Sequence, residues 1–283
     1  MTHDKTRKRV GPVYVGLDMG SSRSKVVVID AAGQLVGHAV RKSGTDFSKT
    51  AKACLDTALE MAGAGPGDIA HAIATGYGRD NVGFVTADSK TEIGCLAKGG
   101  YHYFPEATTI IDIGGQDNKV IKVDAAGHRL GFKMNRKCAA GTGAFLEEMS
   151  ARLDVSLEEM NRLAREATEM IKLGSYCTVF SATEVLENIR HGKNVCDIVK
   201  GIFYSMVRRV LEMDSLTERV VMTGGVVAHN AYLVEMAADM IGQPVLLADY
   251  PQLVGAVGAA LYARDEVDAA GAAASGSIKN DGD

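Results

Sequence analysis

The same strand–turn–strand pattern occurs twice in this 283-residue chain. The first copy covers residues 13–29 and contains the turn DMGSS at 18–22. The second covers residues 109–123 and contains the turn GGQD at 114–117. Apolar runs bounded by glycine and aspartate predict strands joined by tight turns. Two copies of one such unit predict a duplicated fold.

The remaining periodicity alternates between strand and helix, which predicts an α/β fold. Further strands are predicted at 35–41, 69–75, 220–222 and 245–248, and helical spacing at 47–62, 92–103, 145–211, 230–241 and 252–264. We expect one subdomain at 13–106, a second at 107–255 and a closing helix at 256–266. The leader 1–12 is predicted to be flexible. The tail 267–283, rich in Ala, Gly, Ser and Asp, is predicted to be disordered.

Composition excludes several classes of function. The net charge of −4, with no extended basic face, argues against a nucleic-acid-binding protein. No apolar run approaches the roughly 18–20 residues of a membrane span, and the leader lacks a signal-peptide core. Five cysteines, an odd number without close pairing, fit a reducing compartment in which thiols are free to bind metal. We therefore predict a cytoplasmic protein.

The two acidic turns have the composition of phosphate-binding loops. Glycine lets backbone N–H groups approach phosphate oxygens, Lys25 adds a positive charge, and Asp18 can hold Mg²⁺ through water. The first turn joins two strands, so it is neither a Walker loop nor a dinucleotide fingerprint, both of which precede a helix. A third glycine turn, 223–226, follows a strand and suits an adenosine. Each turn alone is typical of an ordinary loop, but the ordered trio resembles the actin, sugar kinase and Hsp70 superfamily.

Two cysteines stand apart from the other three. Cys138 and Cys177 each precede a helix-patterned stretch and lie 39 positions apart, unlike the clustered ligands of a self-contained zinc or ferredoxin site. A helix N-terminus lowers a thiol pKa and suits a negatively charged cluster. Two thiolates supply half of an iron–sulfur site, so the other half must come from a second subunit. Buried structural cysteines and a redox-sensor disulfide are the alternatives. The remaining three are assigned to the core: Cys54, Cys95 and Cys196.

Six segments resemble the activators of 2-hydroxyacyl-CoA dehydratases, a family that includes the ATP-binding subunits of benzoyl-CoA reductases. The segments are GLDMGS (16–21), ATGYGR (74–79), IDIGGQD (111–117), KCAAGTG (137–143), CTVF (177–180) and MTGGV (222–226). The resemblance implies two actin-like subdomains with a nucleotide cleft between them. It also implies a dimer that shares one [4Fe–4S] cluster, with Cys138 and Cys177 as the ligands of each subunit.

The same resemblance implies residue roles and partners. Four residues would line the Mg²⁺ and attacking-water region: Asp18, Asp112, Gln116 and Asp117. Eleven would contact ATP: Gly20, Ser21, Ser22, Arg23, Ser24, Lys25, Gly114, Gly115, Gly224, Gly225 and Gln252. The sequence VAHN at 227–230 departs from the family pattern after the adenosine glycines. The implied partners are a second actin-like subunit, identical or related, a CoA-thioester reductase or dehydratase, and a ferredoxin or flavodoxin as electron source.

Other functions remain open at this point. A small-molecule kinase of the same superfamily would need a general-base Asp and no second subunit, but it leaves the cysteine segments unexplained. A non-catalytic actin-like or chaperone role is a further alternative. Within the resembling family, the extended N-terminus favours a reductase subunit over the compact activators. The CoA thioester would bind the partner protein, so this chain does not identify it.

Overall fold

A computed structural model of the chain describes residues 11–135, 137–174, 177–217 and 219–277. These residues form two compact units. The first contains the described residues up to Gly99 together with those from Gly255 onward, and the second is Gly100–Val254. The division differs from the predicted one, because the first unit ends within a helix and the closing helix belongs to it.

The first unit is built on a four-stranded sheet with the order β3-β2-β1-β4. Its strands are β1 (Val13–Met19), β2 (Arg23–Ile29), β3 (Leu35–Lys42) and β4 (Ile69–Thr75). β1 pairs antiparallel with β2 and parallel with β4. Helix α1 (Phe47–Ala62) covers one face and buries Cys54, Leu55 and Leu59 in an apolar core with β1 and β2. Helix α2 (Glu92–Tyr103) follows and crosses the boundary between the units.

The second unit contains a five-stranded sheet with the order β7-β6-β5-β8-β9. Its strands are β5 (Thr108–Ile113), β6 (Asn118–Val123), β7 (Arg129–Asn135), β8 (Val220–Thr223) and β9 (Val245–Leu247). Its helices are α3 (Gly143–Leu153), α4 (Leu157–Glu166), α5 (Thr178–Arg190), α6 (Val195–Leu211), α7 (Gly225–His229) and α8 (Ala231–Ile241). The core of this unit includes Phe145, Ile202 and Phe203.

The two sheets confirm the predicted duplication. The order β3-β2-β1-β4 repeats as β7-β6-β5-β8, with the same parallel and antiparallel pairings. The counterpart of β9 in the first unit is a single parallel bridge between Ala74 and Ser89. The sequence prediction omitted β7, because this edge strand is largely exposed and lacks the apolar alternation of its neighbours.

The C-terminal helix is longer than predicted. Helix α9 covers Val254–Ser277, so the prediction of disorder from residue 267 is wrong for 267–277. Alanine has the highest helix propensity, and it dominates this stretch. Glu266 ties the helix to its own unit through Lys90, 2.6 Å away, and His71, 3.1 Å away. Leader residues 1–10 and tail residues 278–283 lie outside the described residues. Among the described helices, none is long and apolar enough to cross a membrane.

Two glycines on α9 should respond oppositely to alanine. A Cβ at Gly258 would lie 1.8 Å from the carbonyl oxygen of Cys95 in α2, whereas a Cβ at Gly271 meets nothing within 4 Å. Gly258→Ala must push the helices apart, at a cost of about 1–3 kcal/mol or more. Gly271→Ala should stabilise by about 0.5–1 kcal/mol through helix propensity. Urea unfolding of both variants tests this, and equal effects would contradict the close packing.

Candidate functional site

The first turn predicted to bind phosphate, residues 20–22, is supported by hydrogen bonds from Ser43. The Ser43 hydroxyl donates to the carbonyl of Gly20 at 2.6 Å, and its N–H donates to the carbonyl of Ser22 at 3.1 Å. Ser24 is fully buried, with its hydroxyl 2.9 Å from that of Ser43. The residues predicted to bind phosphate therefore fall into a buried group and an exposed group. Ser24 supports the turn from inside, and the side chains at the surface are Ser21, Ser22 and Arg23.

At the end of β1, Asp18 lies in a nearly closed environment. It is 6% exposed, and its Oδ2 accepts from Lys25 Nζ at 2.9 Å. Oδ1 is buried without a hydrogen-bond partner in the part of the chain that the structure describes. Gly76, with φ +85°, approaches so closely that a Cβ there would lie 2.8 Å from Oδ1. A buried carboxylate oxygen requires a donor or cation, so the position fits water-mediated Mg²⁺ binding.

The second repeat contains the same Asp–Lys pair at the same register. Asp18 faces Lys25 across the β1–β2 ladder, and Asp112 faces Lys119 across the β5–β6 ladder. Lys119 Nζ lies 3.2 Å from Asp112 Oδ2 and 2.7 Å from Asp117 Oδ1. Its side chain is 1% exposed. Lys119 thus joins two of the predicted catalytic carboxylates.

The second phosphate turn is bonded to the helix that follows the Cys138 segment. The N–H of Gly114 closes the turn on the carbonyl of Asp117 at 2.9 Å. The carbonyls of Gly114 and Gly115 accept from the N–H groups of Gly143 and Ala144, at 2.9 and 2.8 Å. Gln116 is exposed at the tip. Any movement of this turn must therefore act directly on the first turn of α3.

The predicted adenosine residues of the second unit come together. Gly224 has φ +102°, and a Cβ there would lie 2.4 Å from the carbonyl oxygen of Ile113, so only glycine fits. A Cβ on Gly225 would lie 3.3 Å from Nε2 of Gln252. The N–H of Gly224 donates to the carbonyl of Pro251 at 3.1 Å, which holds the segment of Gln252 against the glycines.

The VAHN segment, residues 227–230, is stabilised by hydrogen bonds of its last residue, Asn230. The Asn230 amide donates to the carbonyl of Val226 at 2.7 Å, and the Asn161 amide donates to Asn230 Oδ1 at 3.0 Å. Asn230 is buried. This residue therefore stabilises the short helix α7 behind the adenosine glycines.

The two candidate cluster ligands have different local structures. Cys177 is the exposed N-cap residue of α5, as predicted. Cys138 is half-buried and lies in the loop before α3, which begins at Gly143, within one residue of the predicted start. Gly141, with φ +79°, reverses the chain within that loop before the N-cap Thr142. The N–H of Ala140 points at Cys138 Sγ, 3.5 Å away, and α3 packs against α5.

The other three cysteines differ in how deeply they are buried. Cys54 and Cys95 are fully buried, as predicted. Burial raises the pKa of the Cys54 thiol and raises the pKa of Cys95 to about 12, which keeps both protonated. The core prediction is wrong for Cys196, which is half-buried in the first turn of α6.

Residues 15–263 match the BadF/BadG/BcrA/BcrD ATPase family. The chain belongs to this ATPase family. It is 44% identical, over 253 residues, to the activator of lactoyl-CoA dehydratase from Anaerotignum propionicum, with coverage of 88% of this chain and 96% of that protein.

A solved structure of the 2-hydroxyisocaproyl-CoA dehydratase activator from Clostridium difficile with bound ADPNP matches this ATPase with a TM-score of 0.84. The identity is 38%, and the match covers 91% of this chain and 96% of that one. A component of the benzoyl-CoA reductase from Thauera aromatica is 27% identical over 262 residues, which are 88% of this chain and 92% of that protein. These likenesses confirm the predicted family and the α/β, actin-like fold class.

Thiol reactivity in the metal-free ATPase should follow burial. The thiolate is the nucleophile, so protonated and enclosed thiols react slowly. We expect iodoacetamide to modify Cys177 first, Cys138 and Cys196 more slowly, and Cys54 and Cys95 only after unfolding. Peptide mass spectrometry over a time course measures the order. Modification of Cys95 before Cys177 in folded protein would contradict the structure.

Lys119 is the principal site residue that sequence analysis missed. Its signal was present, because in both repeats a lysine stands seven residues after the strand-ending aspartate. Ser43 gave no signal of this kind. It reaches the first turn from beyond β3, a contact that requires the tertiary fold.

Proposed function

We propose that this ATPase is an iron–sulfur electron donor that activates a CoA-thioester dehydratase. The observation that carries the proposal is the direct hydrogen bonding between the second phosphate turn and the Cys138–α3 segment. Gly114 and Gly115 bind Gly143 and Ala144 through backbone hydrogen bonds. A nucleotide at this turn would therefore act on a cysteine-bearing loop without an intervening domain.

The accessible thiols fit half of a shared [4Fe–4S] cluster. Cys177 is exposed and Cys138 half-buried, whereas Cys54 and Cys95 are fully enclosed in the core. Cys196 is also half-buried, but it lies in α6, outside the segments that resemble the activators. Two thiolates from each of two subunits complete a four-cysteine set. Val179 and Phe180, next to Cys177 on α5, are 70% and 64% exposed. Large apolar side chains at such exposure suit burial against a partner protein.

The nucleotide residues have the chemistry for Mg²⁺-dependent ATP hydrolysis. We assign Asp18 and Asp112 to the Mg²⁺ region, Gln116 and Asp117 to orientation of the attacking water, and Lys25 to the phosphates. Ser21, Ser22, Arg23 and the turn glycines would contribute further phosphate contacts, and Gly224, Gly225 and Gln252 would contact the adenosine. The relative with bound ADPNP supports a nucleotide site in this chain.

ATP can drive a change only if it binds two conformations with different affinity. The second phosphate turn and the first turn of α3 form one hydrogen-bonded unit, so a nucleotide-dependent shift of the turn would move α3 and the loop before it. A bound cluster supplies single electrons at potentials that reach roughly −700 mV, depending on charge, hydrogen bonding and solvent exposure. Moving the Cys138 loop would change that exposure.

Sequence identity favours an activator over a reductase component, at 44% against 27%. The sequence alone favoured a reductase subunit because of its N-terminal extension. Most of that extension lies outside the described residues. The partners we propose are a second copy of this chain, a 2-hydroxyacyl-CoA dehydratase and a ferredoxin or flavodoxin. A sugar-type kinase is not favoured, since the close relatives are activators and a kinase leaves the Cys138 contacts without a role.

Anaerobic purification tests the proposal through iron and sulfide analysis and mass by light scattering. We expect about four irons and four sulfides per homodimer. A mixed dimer with a related chain would instead identify a reductase component. An iron-free monomer that still hydrolyses ATP would overturn the proposal and support the kinase.

A further inference from the structure

Two asparagines bind the loop that carries Cys138, of which residues 137–142 are described and which we call the Cys138 loop. Asn118 is the first residue of β6, and its amide donates to the carbonyl of Gly141 at 3.0 Å. Asn135 is the last residue of β7, and its amide donates to the carbonyl of Cys138 at 3.1 Å. Asn118 and Asn135 face each other in the β6–β7 ladder. Two residues that are paired across the β6–β7 ladder therefore both donate hydrogen bonds to carbonyl groups of the loop.

Asn118 also follows directly after the second phosphate turn. Its neighbour Asp117 binds Lys119 Nζ at 2.7 Å, and the Asp117 carbonyl closes the turn on Gly114. Because consecutive residues share a peptide bond, a change in the turn must displace the backbone of Asn118. The side chain of Asn118 would carry that displacement to the Gly141 carbonyl.

The contact has little freedom to absorb such a displacement. Asn118 is fully buried, and its Oδ1 has no hydrogen-bond partner within the described ranges of the chain. A Cβ on Gly141 would lie 3.1 Å from the Asn118 amide nitrogen and 3.4 Å from Arg209 Cγ. Gly141 is thus enclosed on two sides in its left-handed conformation. The Asn118 side chain is thus held through its amide nitrogen at Gly141, while its Oδ1 is buried without a donor among the described residues.

We propose that Asn118 is a positioning residue that transmits the nucleotide state of the second phosphate turn to the Cys138 loop, with Asn135 anchoring the other end. The inference rests on the proposed function, since it assigns a route for the coupling that function requires. Among the described residues, the side-chain hydrogen bond of Asn118 goes to Gly141, and not to the turn glycines or to the Cys138 thiol. Its effect is on the coupling between them.

The decisive variant is Asn118→Asp, which preserves volume but replaces the donor facing Gly141 with an acceptor. Asn188→Asp is the matched control. The half-buried Asn188 amide also donates to a backbone carbonyl, that of Glu184 at 2.8 Å, but within α5 and not to the Cys138 loop. Asn135→Ala, at a half-buried position, serves as the second test if Asn118→Asp does not fold.

The readout is the ratio of Cys138 exposure between two nucleotide states. It is measured as the rate of iron removal by a ferrous chelator from the anaerobic protein, and as Cys138 alkylation in the metal-free protein. Each is compared with Mg·ADP and with a non-hydrolysable Mg·ATP analogue. One net hydrogen bond corresponds to roughly a 2- to 10-fold effect. In wild type and in Asn188→Asp, we expect the rates measured with the two nucleotides to differ by about this factor. In Asn118→Asp the two rates should be nearly equal, so that their ratio is near one.

A purely structural role gives a different result. Loosening alone would raise Cys138 reactivity equally in both nucleotide states and leave the ratio unchanged. A wild-type ratio retained in Asn118→Asp, or in Asn135→Ala if the first variant is unfolded, would overturn the inference and leave the proposed function intact. Wild-type protein without iron would overturn the proposed function instead. Iron-containing wild-type protein that reacts equally in both nucleotide states would overturn the coupling, and with it this inference.

Discussion

Replacing Cys138 with Ser should remove the iron from the protein and abolish electron transfer. A serine hydroxyl is a poor ligand for iron–sulfur clusters, and each subunit has one other accessible thiol at the proposed site, Cys177. Loss of one ligand per subunit leaves two of four around a shared cluster. The backbone of the loop should persist, since Asn118 and Asn135 bind carbonyl groups and not the thiol. ATP hydrolysis should therefore fall less than iron content.

Cys196→Ser provides the matched control for Cys138→Ser. Cys196 is also half-buried and lies near a helix start, but it is in α6 and is not among the proposed ligands. Iron analysis after anaerobic purification should give wild-type content for Cys196→Ser and little iron for Cys138→Ser. Full iron and activity in Cys138→Ser would show that the ligand assignment is incorrect.

Replacing Lys119 with Met should lower both the stability of the protein and its rate of ATP hydrolysis. Lys119→Met leaves the buried Asp112 and the partly exposed Asp117, whose side chains are 9% and 27% exposed, without their shared cation. Breaking a buried ion pair from one side typically costs about 3–5 kcal/mol, because the remaining charge is uncompensated. We expect a loss of this size in the free energy of unfolding. ATP hydrolysis should also fall sharply, since both carboxylates lie in the proposed Mg²⁺ and water region.

Lys122→Met on the same strand is the control for Lys119→Met. Lys122 is 23% exposed and pairs with Asp214 at 3.2 Å, so we expect a loss of about 1 kcal/mol or less. Adding Asp112→Asn to Lys119→Met should recover part of the stability by removing the uncompensated charge of the more buried carboxylate. Urea unfolding measures all three. Equal losses for the two lysine variants, or no recovery in the double variant, would contradict the buried Lys119–Asp112 pair.

Much of the fold could be predicted because its signals are local. The strand pairs β1–β2 and β5–β6 are continuous apolar runs joined by glycine turns, and the structure places them within a few residues of the predicted positions. β7 was missed because an exposed edge strand carries few apolar residues. The C-terminal extension of α9 was missed because an Ala- and Gly-rich composition is common to helices and disordered tails.

The site could be predicted only in part. Turn residues such as Gly224 and Asp18 are recognisable from glycine and aspartate after a strand. The residues that support the predicted loops have ordinary sequence contexts, as Ser43 has at the first phosphate turn and Asn118 at the Cys138 loop. The helix after Cys138 was predicted within one residue, but the left-handed turn at Gly141 and the asparagine bonds that hold the loop were not. Long-range hydrogen bonds of this kind are not encoded in local pattern.

Electron paramagnetic resonance of the dithionite-reduced protein, with Mg·ADP and with a non-hydrolysable Mg·ATP analogue, reports on both the cluster and its coupling to the nucleotide. We expect a reduced-cluster signal whose shape or midpoint potential depends on the nucleotide, because the second phosphate turn is bonded to the Cys138 segment. A signal identical in both states would contradict that coupling. The absence of any cluster signal from iron-free protein would contradict the electron-donor function itself.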